Sequence, residues 1–204
     1  MLRSNADHIK VDQGSDEWLQ ARLGVPSASS FKKLVTSTGK ISTTFDDYCY
    51  ELASEVVSGE RTSIFQNDAM KRGNELEPLA RSMYEFVNSV DVMEYGFIKS
   101  EGYGCSPDGI IEDSDGFYGL EIKCPLTKTH LKWLDKGKLP AEHKAQVQGC
   151  MLVTGLKRWD FYSYNEHFED LHVIVERDDE YIQILEEALD KAINKIKTLV
   201  KKGK

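Results

Sequence analysis

Apolar residues recur at helical spacing in several long stretches of the chain. The last of these, residues 178–202, predicts a closing amphipathic helix with one apolar stripe against the core. Its buried positions are expected to be Tyr181, Ile184, Leu185, Ala188, Leu189, Ile193, Ile196 and Val200. The same spacing and the capping signals beside it predict further helices. These cover residues 16–23, 27–35, 43–58, a long helix from Asn67 or Asp68 to Val87, 127–134 and 140–153.

Shorter apolar runs, bounded by turn-forming residues, predict strands. They cover residues 92–98, 109–111, 117–122, 159–164 and 171–175. Residues 112–116 are acidic or small and favour a turn, so 109–111 and 117–122 are predicted to pair as an antiparallel hairpin. Helices before, between and after about five strands predict an α/β fold, with a central mixed β-sheet flanked by helices.

Length and composition narrow the class of protein. The 204 residues suit a single domain covering 1–204, and 40% hydrophobic with 29% charged residues is typical of a soluble globular protein. No apolar run approaches the roughly 20 residues of a membrane span, and the polar residues 1–13 predict no signal peptide. The four cysteines are scattered, which favours reduced thiols in a cytoplasmic protein.

The net charge of −8 argues against a general binder of polyanions. It does not exclude DNA, because a carboxylate-rich metal site adds negative charge that the metal neutralises. Any contact with DNA must then come from local basic groups. The candidates are Arg22, Lys32, Lys33, Lys71, Arg72, Lys128, Lys132, Lys136 and Lys138.

The predicted hairpin carries the most informative chemistry. Asp108 follows a proline at its start, and Glu121 stands two residues before Lys123 in its apolar second strand. Side chains alternate along a strand, so Glu121 and Lys123 share a face, and the pairing could bring Asp108 beside them. Two carboxylates and an ammonium suit a hard divalent cation and an activated water. A surface hairpin with ordinary charges is the alternative, but unpaired charges in an apolar strand are costly.

Other residues could assist this group. Glu77 would be a third carboxylate for one or two Mg²⁺ ions, although alone it would more often be a solvated helix residue. Arg22 and Ser29, near a serine-rich helix start, could form a phosphate pocket. Gln146 and His143 share a helix face, and His143 could be a metal ligand, but no second histidine stands at ligand spacing.

The order of the short motifs carries a resemblance. The chain resembles the phage lambda exonuclease family, the YqaJ-like viral recombinases, which are a branch of the PD-(D/E)xK nucleases. The matching segments span roughly residues 14 to 165. They are Gly14-Ser15-Asp16-Glu17-Trp18-Leu19, Arg22-Leu23-Gly24, Ser27-Ala28-Ser29, Arg72-Gly73 with Glu77, Ser106-Pro107-Asp108-Gly109, Leu120-Glu121-Ile122-Lys123-Cys124-Pro125 and Gln146-Val147-Gln148.

The resemblance implies a restriction-endonuclease-like core and Mg²⁺-dependent degradation of double-stranded DNA, in which Mn²⁺ can substitute. In this family the attack runs 5′ to 3′, releases mononucleotides and leaves a 3′ single strand for recombination. A single-strand annealing protein then pairs that strand. The family enzyme is a ring-shaped homotrimer, and a phage or prophage protein of this kind would act in the cytoplasm of the bacterial host.

The resemblance also implies roles for single residues. Asp108, Glu121 and the Ile122 carbonyl would be metal ligands, and Lys123 would orient or deprotonate the attacking water. Glu77 would assist in the metal shell, either as a direct ligand or through a water. The remaining residues would contact the DNA. Arg22 and Ser29 would hold the 5′ phosphate, Ser106 would lie near the same strand, and Gln146 would lie next to the site. The family has a tyrosine where this chain has His143, which leaves the role of His143 open.

Two alternatives remain at this point. One is a site- or structure-specific DNA endonuclease of the same fold. The other is a catalytically inactive module that binds DNA ends, against which the intact set of Asp108, Glu121 and Lys123 speaks.

Overall fold

A computed structural model describes residues 6–62 and 68–203. The predicted helix start at Asn67 lies outside the described residues. The strands are β1 (Asp7–Ile9), β2 (Phe97–Ser100), β3 (Tyr103–Cys105), β4 (Gly109–Asp113), β5 (Gly116–Lys123), β6 (Arg158–Ser163) and β7 (Leu171–Glu176). The α-helices are α1 (Asp16–Ala21), α2 (Phe45–Ser58), α3 (Asp68–Asn88), α4 (Thr127–Lys136), α5 (Lys144–Thr154) and α6 (Asp179–Lys202), with 3₁₀ helices at Ala28–Lys33 and Ala141–His143.

The larger sheet is mixed and has the strand order β4-β5-β6-β7. Strands β5 and β6 run parallel, whereas the two outer pairs are antiparallel. A parallel pair needs a crossover, and the helices α4 and α5 supply it. The predicted α/β class, with helices flanking a mixed sheet, is therefore confirmed.

The predicted hairpin forms between β4 and β5. Gly109 lies opposite Leu120 and Asp113 opposite Gly116, so Ser114 and Asp115 between the strands make the turn. Asp108 stands just before the first paired residue. The register therefore delivers its side chain to the end of β5 that carries Glu121 and Lys123.

The predicted strand 92–98 is wrong in extent. Met93 makes an isolated bridge to Ile110 of the larger sheet, whereas the ladder of β2 begins only at Phe97. Strand β2 pairs with β1 and β3 in a separate three-stranded sheet. The chain thus passes from one sheet to the other between Met93 and Phe97, which interrupts any continuous strand.

Capping residues set the ends of several helices. Ser15 accepts a hydrogen bond from the Trp18 amide at the start of α1, and Asp178 does the same for Tyr181 at the start of α6. The predicted helix 27–35 is instead the 3₁₀ helix Ala28–Lys33. It ends because Val35 already pairs with Ile41 in a short bridge.

Helix α6 packs against α2 and α5 and closes the main core. Of its predicted stripe, Tyr181, Leu185, Ala188, Leu189 and Ile196 are buried, while Ile193 and Val200 are partly buried against the core. The prediction that Ile184 is buried is wrong, because it is 37% exposed. Ile182 and Ala192 are buried in its place.

Helix α5 lies deepest in the fold and also begins differently from the prediction. Its residues from Val147 to Thr154 are all buried, and the 3₁₀ turn Ala141–His143 precedes it. A Cβ atom at Gly149 would stand 2.3 Å from Phe31 Cδ2, so only glycine lets α5 approach the Ala28–Lys33 helix this closely. In the described part of the chain, every helix is too short or too polar to cross a membrane.

Candidate active site

The two hairpin carboxylates meet at the end of β5. Asp108 is 8% exposed, and its Oδ2 accepts a hydrogen bond of 2.7 Å from the Ile122 amide. Glu121 is completely buried. Leu120 and Ile122, the alternate residues of the strand, pack into a separate apolar cluster on the other face. The alternation predicted from the sequence therefore holds in the structure.

The Lys123 ammonium lies among the oxygen atoms of this group. Its Nζ contacts Glu121 Oε1, donates to the Ile122 carbonyl at 3.0 Å and stands 4.0 Å from Asp108 Oδ2. One positive charge is thus already held between the three predicted metal ligands.

The electrostatics of the group are governed by burial. Burial raises the pKa of Glu121 well above its ordinary value, against the lowering effect of Lys123. Burial likewise raises the pKa of Asp108. For Lys123 burial acts to lower the pKa, but the Glu121 and Asp108 carboxylates outweigh it and the pKa is raised. The site is therefore short of positive charge when both carboxylates are ionised.

Glu121 is also short of hydrogen bonds. Gln146 of α5 donates to Oε1, the same oxygen that Lys123 contacts. Oε2 is buried and has no hydrogen-bond partner in the described residues. A buried carboxylate oxygen left unpaired is costly, and a hard cation would compensate it.

Glu77 approaches the same group from helix α3. Its Oε1 lies 3.0 Å from Arg81 Nη2, one turn along the helix. Burial first, and then the charge of Asp108, raise the pKa of Glu77 to about 7. Within residues 6–62 and 68–203, no three His, Cys, Asp or Glu side chains converge closely enough to hold a metal by themselves. The oxygen donors nearest to one another are the Asp108 and Glu121 carboxylates and the Ile122 carbonyl, a hard set of the kind that could hold a divalent cation.

A basic pocket lies beside the Asp108 loop, residues 106–108, which precedes β4. Arg22 is 8% exposed and donates through Nη2 to Ser27 Oγ at 3.0 Å and to Ser29 Oγ at 3.2 Å. Its guanidinium lies over the Trp18 ring at 3.9 Å, and its Nε has no partner in the described chain. Burial and the nearby Arg61 lower the pKa of Arg22 to about 10, so the group is still a cation at neutral pH. A buried, under-partnered guanidinium beside two hydroxyls suits an anion.

One cavity of about 160 Å³ connects the basic pocket to the carboxylates. Seven of the nine predicted site side chains line it, whereas Glu77 and His143 do not. The Ile122 carbonyl lies in β5 between Glu121 and Lys123. The seven are Arg22, Ser29, Ser106, Asp108, Glu121, Lys123 and Gln146.

His143 lies beside the site but in an aromatic setting. Its ring packs against Trp133 and Phe161, with centroids 5.3 and 5.2 Å away. Burial and then the charge of Lys123 lower the pKa of His143 to about 4. It is thus neutral at pH 7 and lines a neighbouring cavity of about 250 Å³ with Glu77 and Lys123.

Two residues that hold the Asp108 loop were not identified as site residues from the sequence. Gln13 Nε2 donates to the Pro107 carbonyl at 2.9 Å, and Trp18 Nε1 donates to Ser106 Oγ at 2.8 Å. These partners are 94 and 88 residues apart in sequence, and no local pattern marks them. The only signal was that Trp18 stands in the first matching motif, Gly14 to Leu19.

The family model of the YqaJ-like viral recombinase domain matches residues 17–157. The chain belongs to this family. Among solved structures similar to this YqaJ-family chain is an alkaline exonuclease, LHK-Exo, from Laribacter hongkongensis. The TM-score is 0.82 at 31% identity, covering 92% of this chain and 95% of that one.

Two further structures are similar. LHK-Exo in complex with dAMP has a TM-score of 0.81 at 32% identity, with 92% of this chain and 95% of that one covered. A phage-related exonuclease from Haemophilus somnus 129PT has a TM-score of 0.70 at 17% identity, with 87% and 96% covered, and shows the fold alone.

One curated relative of the YqaJ-family chain is a much longer protein. Uncharacterized protein R354 of Acanthamoeba polyphaga mimivirus is 29% identical over 168 residues, which cover 74% of this chain. The match spans only 29% of that relative, less than a third of its length.

Proposed function

We propose that the protein is a divalent-metal-dependent exonuclease that degrades one strand of linear double-stranded DNA from its 5′ end. The observation that carries this proposal is one cavity that is lined both by Arg22 and Ser29 and by Asp108, Glu121 and Lys123. Membership of the YqaJ-like family and the similarity to LHK-Exo support a nuclease. The neighbour's complex with dAMP agrees with a mononucleotide product.

The basic pocket supports a preference for strand ends. Arg22 is almost completely buried, so a phosphate must enter the pocket to reach it. A terminal phosphate, with one ester link, can enter deeper than an internal phosphate, which is bonded on both sides. Arg22 and Ser29 would therefore bind a 5′ phosphate, and Ser106, oriented by Trp18, would contact the same strand.

The cluster of Asp108, Glu121 and Lys123 would carry out the hydrolysis. Asp108, Glu121 and the Ile122 carbonyl would hold one or two Mg²⁺ ions, with Glu77 acting through a water. When bound, such ions supply an activated water and stabilise charge on the entering and leaving oxygens. Lys123 would then leave its present contacts to orient the attacking water and offset the negative charge that develops on the phosphate. Gln146 would keep Glu121 in place.

Several predictions from the resemblance stay predictions. They are a single PD-(D/E)xK nuclease domain over 1–204, a homotrimeric ring, a single-strand annealing partner for the 3′ strand, and action in the host cytoplasm. A closed ring would explain processive digestion, because DNA could not escape sideways. It would also let a protein of net charge −8 retain DNA through a few local cations.

Digestion of end-labelled linear DNA, compared with closed circular DNA, tests the proposal. We expect labelled mononucleotide from the 5′ end, intact circles, activity with Mg²⁺ or Mn²⁺ and none with EDTA. Cutting of circles would indicate an endonuclease instead. End binding without any digestion would indicate an inactive binding module.

Lys123→Ala provides the matched control for that experiment. We expect it to abolish digestion of linear duplex DNA while DNA binding survives. Undiminished turnover in this variant would rule out the assigned site.

A further inference from the structure

Arg81 lies where helix α3 meets the β4–β5 hairpin, and it contacts both sides of the carboxylate group. Its Nη2 lies 3.0 Å from Glu77 Oε1, and its Nε donates to the Asp108 carbonyl at 3.3 Å. Its third nitrogen, Nη1, lies 3.0 Å from Glu94 Oε2. The side chain is only 15% exposed. All three guanidinium nitrogens therefore have a partner, and two of those partners belong to proposed metal-binding residues.

Three contacts on one planar group fix its orientation. A guanidinium presents its donors in a rigid fork, whereas a lysine offers a single point charge on a flexible stem. The contact with Glu77 spans one helical turn, and the contact with Asp108 spans 27 residues. Arg81 thus ties the helix side of the site to the hairpin side.

The local backbone makes this tie more important. Pro78 follows Glu77 directly within α3, and proline has no amide to donate to the preceding turn. The helix is therefore held by one hydrogen bond fewer at the turn that carries Glu77.

We propose that Arg81 is a positioning residue for the metal site, one that orients the Glu77 carboxylate and the Asp108 backbone for a divalent cation. This inference rests on the proposed function. Arg81 would not touch the substrate. It acts through the two residues that it holds.

Removing Arg81 has two opposing effects on metal affinity, so the direction of the measured change shows which effect prevails. A cation near the site repels Mg²⁺, so its loss alone would tighten metal binding. Loss of its contacts would free Glu77 and the Asp108 loop and weaken binding. Because the Arg81 charge is already shared between Glu77 and Glu94, we expect the loss of orientation to prevail.

Mn²⁺ binding to the DNA-free protein, measured by electron paramagnetic resonance, tests this directly. We expect Arg81→Met to raise the Mn²⁺ dissociation constant about 10-fold, and Arg81→Lys to raise it by less. The matched control is Arg72→Met, on the same helix, where Arg72 pairs with Glu166 at 2.8 Å and none of its contacts reaches the carboxylate group. That control should keep the wild-type affinity. Thermal melting of each variant confirms that it is folded.

A second readout separates positioning from catalysis. In Arg81→Met the Mg²⁺ concentration for half-maximal digestion should rise about 10-fold, while the rate at saturating Mg²⁺ falls only a few-fold. A purely structural role would lower the melting temperature and leave the Mg²⁺ requirement unchanged.

Wild-type or tighter Mn²⁺ binding by folded Arg81→Met would overturn the inference, as would equal weakening in Arg72→Met. If Arg81→Met does not fold, Arg81→Lys decides, and unchanged affinity in that variant overturns the inference. Either result, combined with normal digestion by the wild-type protein, leaves the proposed function standing. Absence of Mn²⁺ binding by the wild-type protein would remove both.

Discussion

Two completely buried carboxylates stand on neighbouring strands and have opposite surroundings. Asp160 of β6 lies beside Leu120 in the register, and Glu121 is the next residue of β5, so the two face opposite sides of the sheet. Asp160 receives hydrogen bonds from Tyr84, from two nitrogens of Arg158 and from His172. Glu121 has both of its partners on one oxygen and none on the other.

The pKa values of these two carboxylates diverge accordingly. Burial acts to raise the pKa of Asp160, but the hydrogen bonds from His172, Arg158 and Tyr84 outweigh it and the pKa is lowered. For Glu121, burial prevails and the pKa is raised. A fully satisfied buried charge contributes to folding, whereas one that folding leaves unsatisfied is available for a ligand.

The same difference separates two arginines. Arg158 binds Asp160 through two nitrogens, at 2.8 and 2.9 Å. Arg22 uses only Nη2, toward two serine hydroxyls, and its buried Nε is unpaired within the described residues. Both oxygens of Asp160 are thus paired, whereas Glu121 and Arg22 each keep one buried polar atom without a partner in the described residues.

The largest expected effect follows from Glu121→Gln. Removing the charge from the proposed metal site should lower turnover on linear DNA by on the order of 10³-fold. The free energy of unfolding should fall by no more than about 1 kcal/mol, because an incompletely paired buried charge is removed. Digestion assays and urea unfolding measure the two quantities. A large loss of stability with little loss of turnover would show that Glu121 serves the fold rather than the site.

Asp160→Asn should behave in the opposite way. Breaking a satisfied buried ion pair should lower the free energy of unfolding by about 3 kcal/mol, because Arg158 loses its buried anion. Turnover per folded molecule should stay within a few-fold of wild type. Urea unfolding together with active-site titration would show this. A stable but inactive Asp160→Asn protein would show that the two faces are not separate.

Arg22→Met tests the role of the Arg22 guanidinium, whose Nε has no partner in the described residues. Charge-assisted hydrogen bonds to a phosphate are strong, so we expect roughly a 10-fold loss of kcat/KM on 5′-phosphorylated DNA and a smaller loss on 5′-hydroxyl DNA. Arg158→Met is the control, and it should lower stability without changing the ratio between the two substrates. Equal losses on both substrates in Arg22→Met would remove the phosphate-binding role.

The smallest effect concerns pH. Asp160 has a pKa below its ordinary value of 3.8 in the folded protein, so its contribution to stability is present above that value. The contribution is lost as the pH falls through the lower, folded pKa. The stability difference between wild type and Asp160→Asn should therefore be constant near neutrality and narrow below about pH 4. Urea unfolding from pH 7 to pH 3 measures it, and a difference that widened in acid would contradict the lowered pKa.

Local patterns predicted the hairpin side of the site well. Strand alternation placed Glu121 and Lys123 on one face, and turn-forming residues gave the pairing that brings Asp108 to them. Alternation is a property of a few adjacent residues, so it can be read from a single sequence. The basic pocket of Arg22 and Ser29 was likewise indicated by residues only seven positions apart.

Contacts between distant parts of the chain could not be predicted in this way. Arg81 meets Asp108, and Trp18 meets Ser106, through arrangements that only the folded chain creates. Gln146 and Gln148 look alike in sequence. The first reaches Glu121, but the second joins α5 to the Glu176 carbonyl and the Asp178 amide. The strand predicted at 92–98 failed for the same reason, since its residues divide between two sheets.

The close approach of α5 to the 3₁₀ helix at Gly149 would fix one distance within the proposed enzyme. One side of this contact is α5, which carries Gln146 against Glu121, and the other is the 3₁₀ helix that carries Ser29. In the proposed enzyme, the thickness of the glycine contact would set the distance between a 5′ phosphate bound at Ser29 and the bond cut beside Glu121. The length of each fragment removed from DNA would then depend on how closely these two helices pack at Gly149.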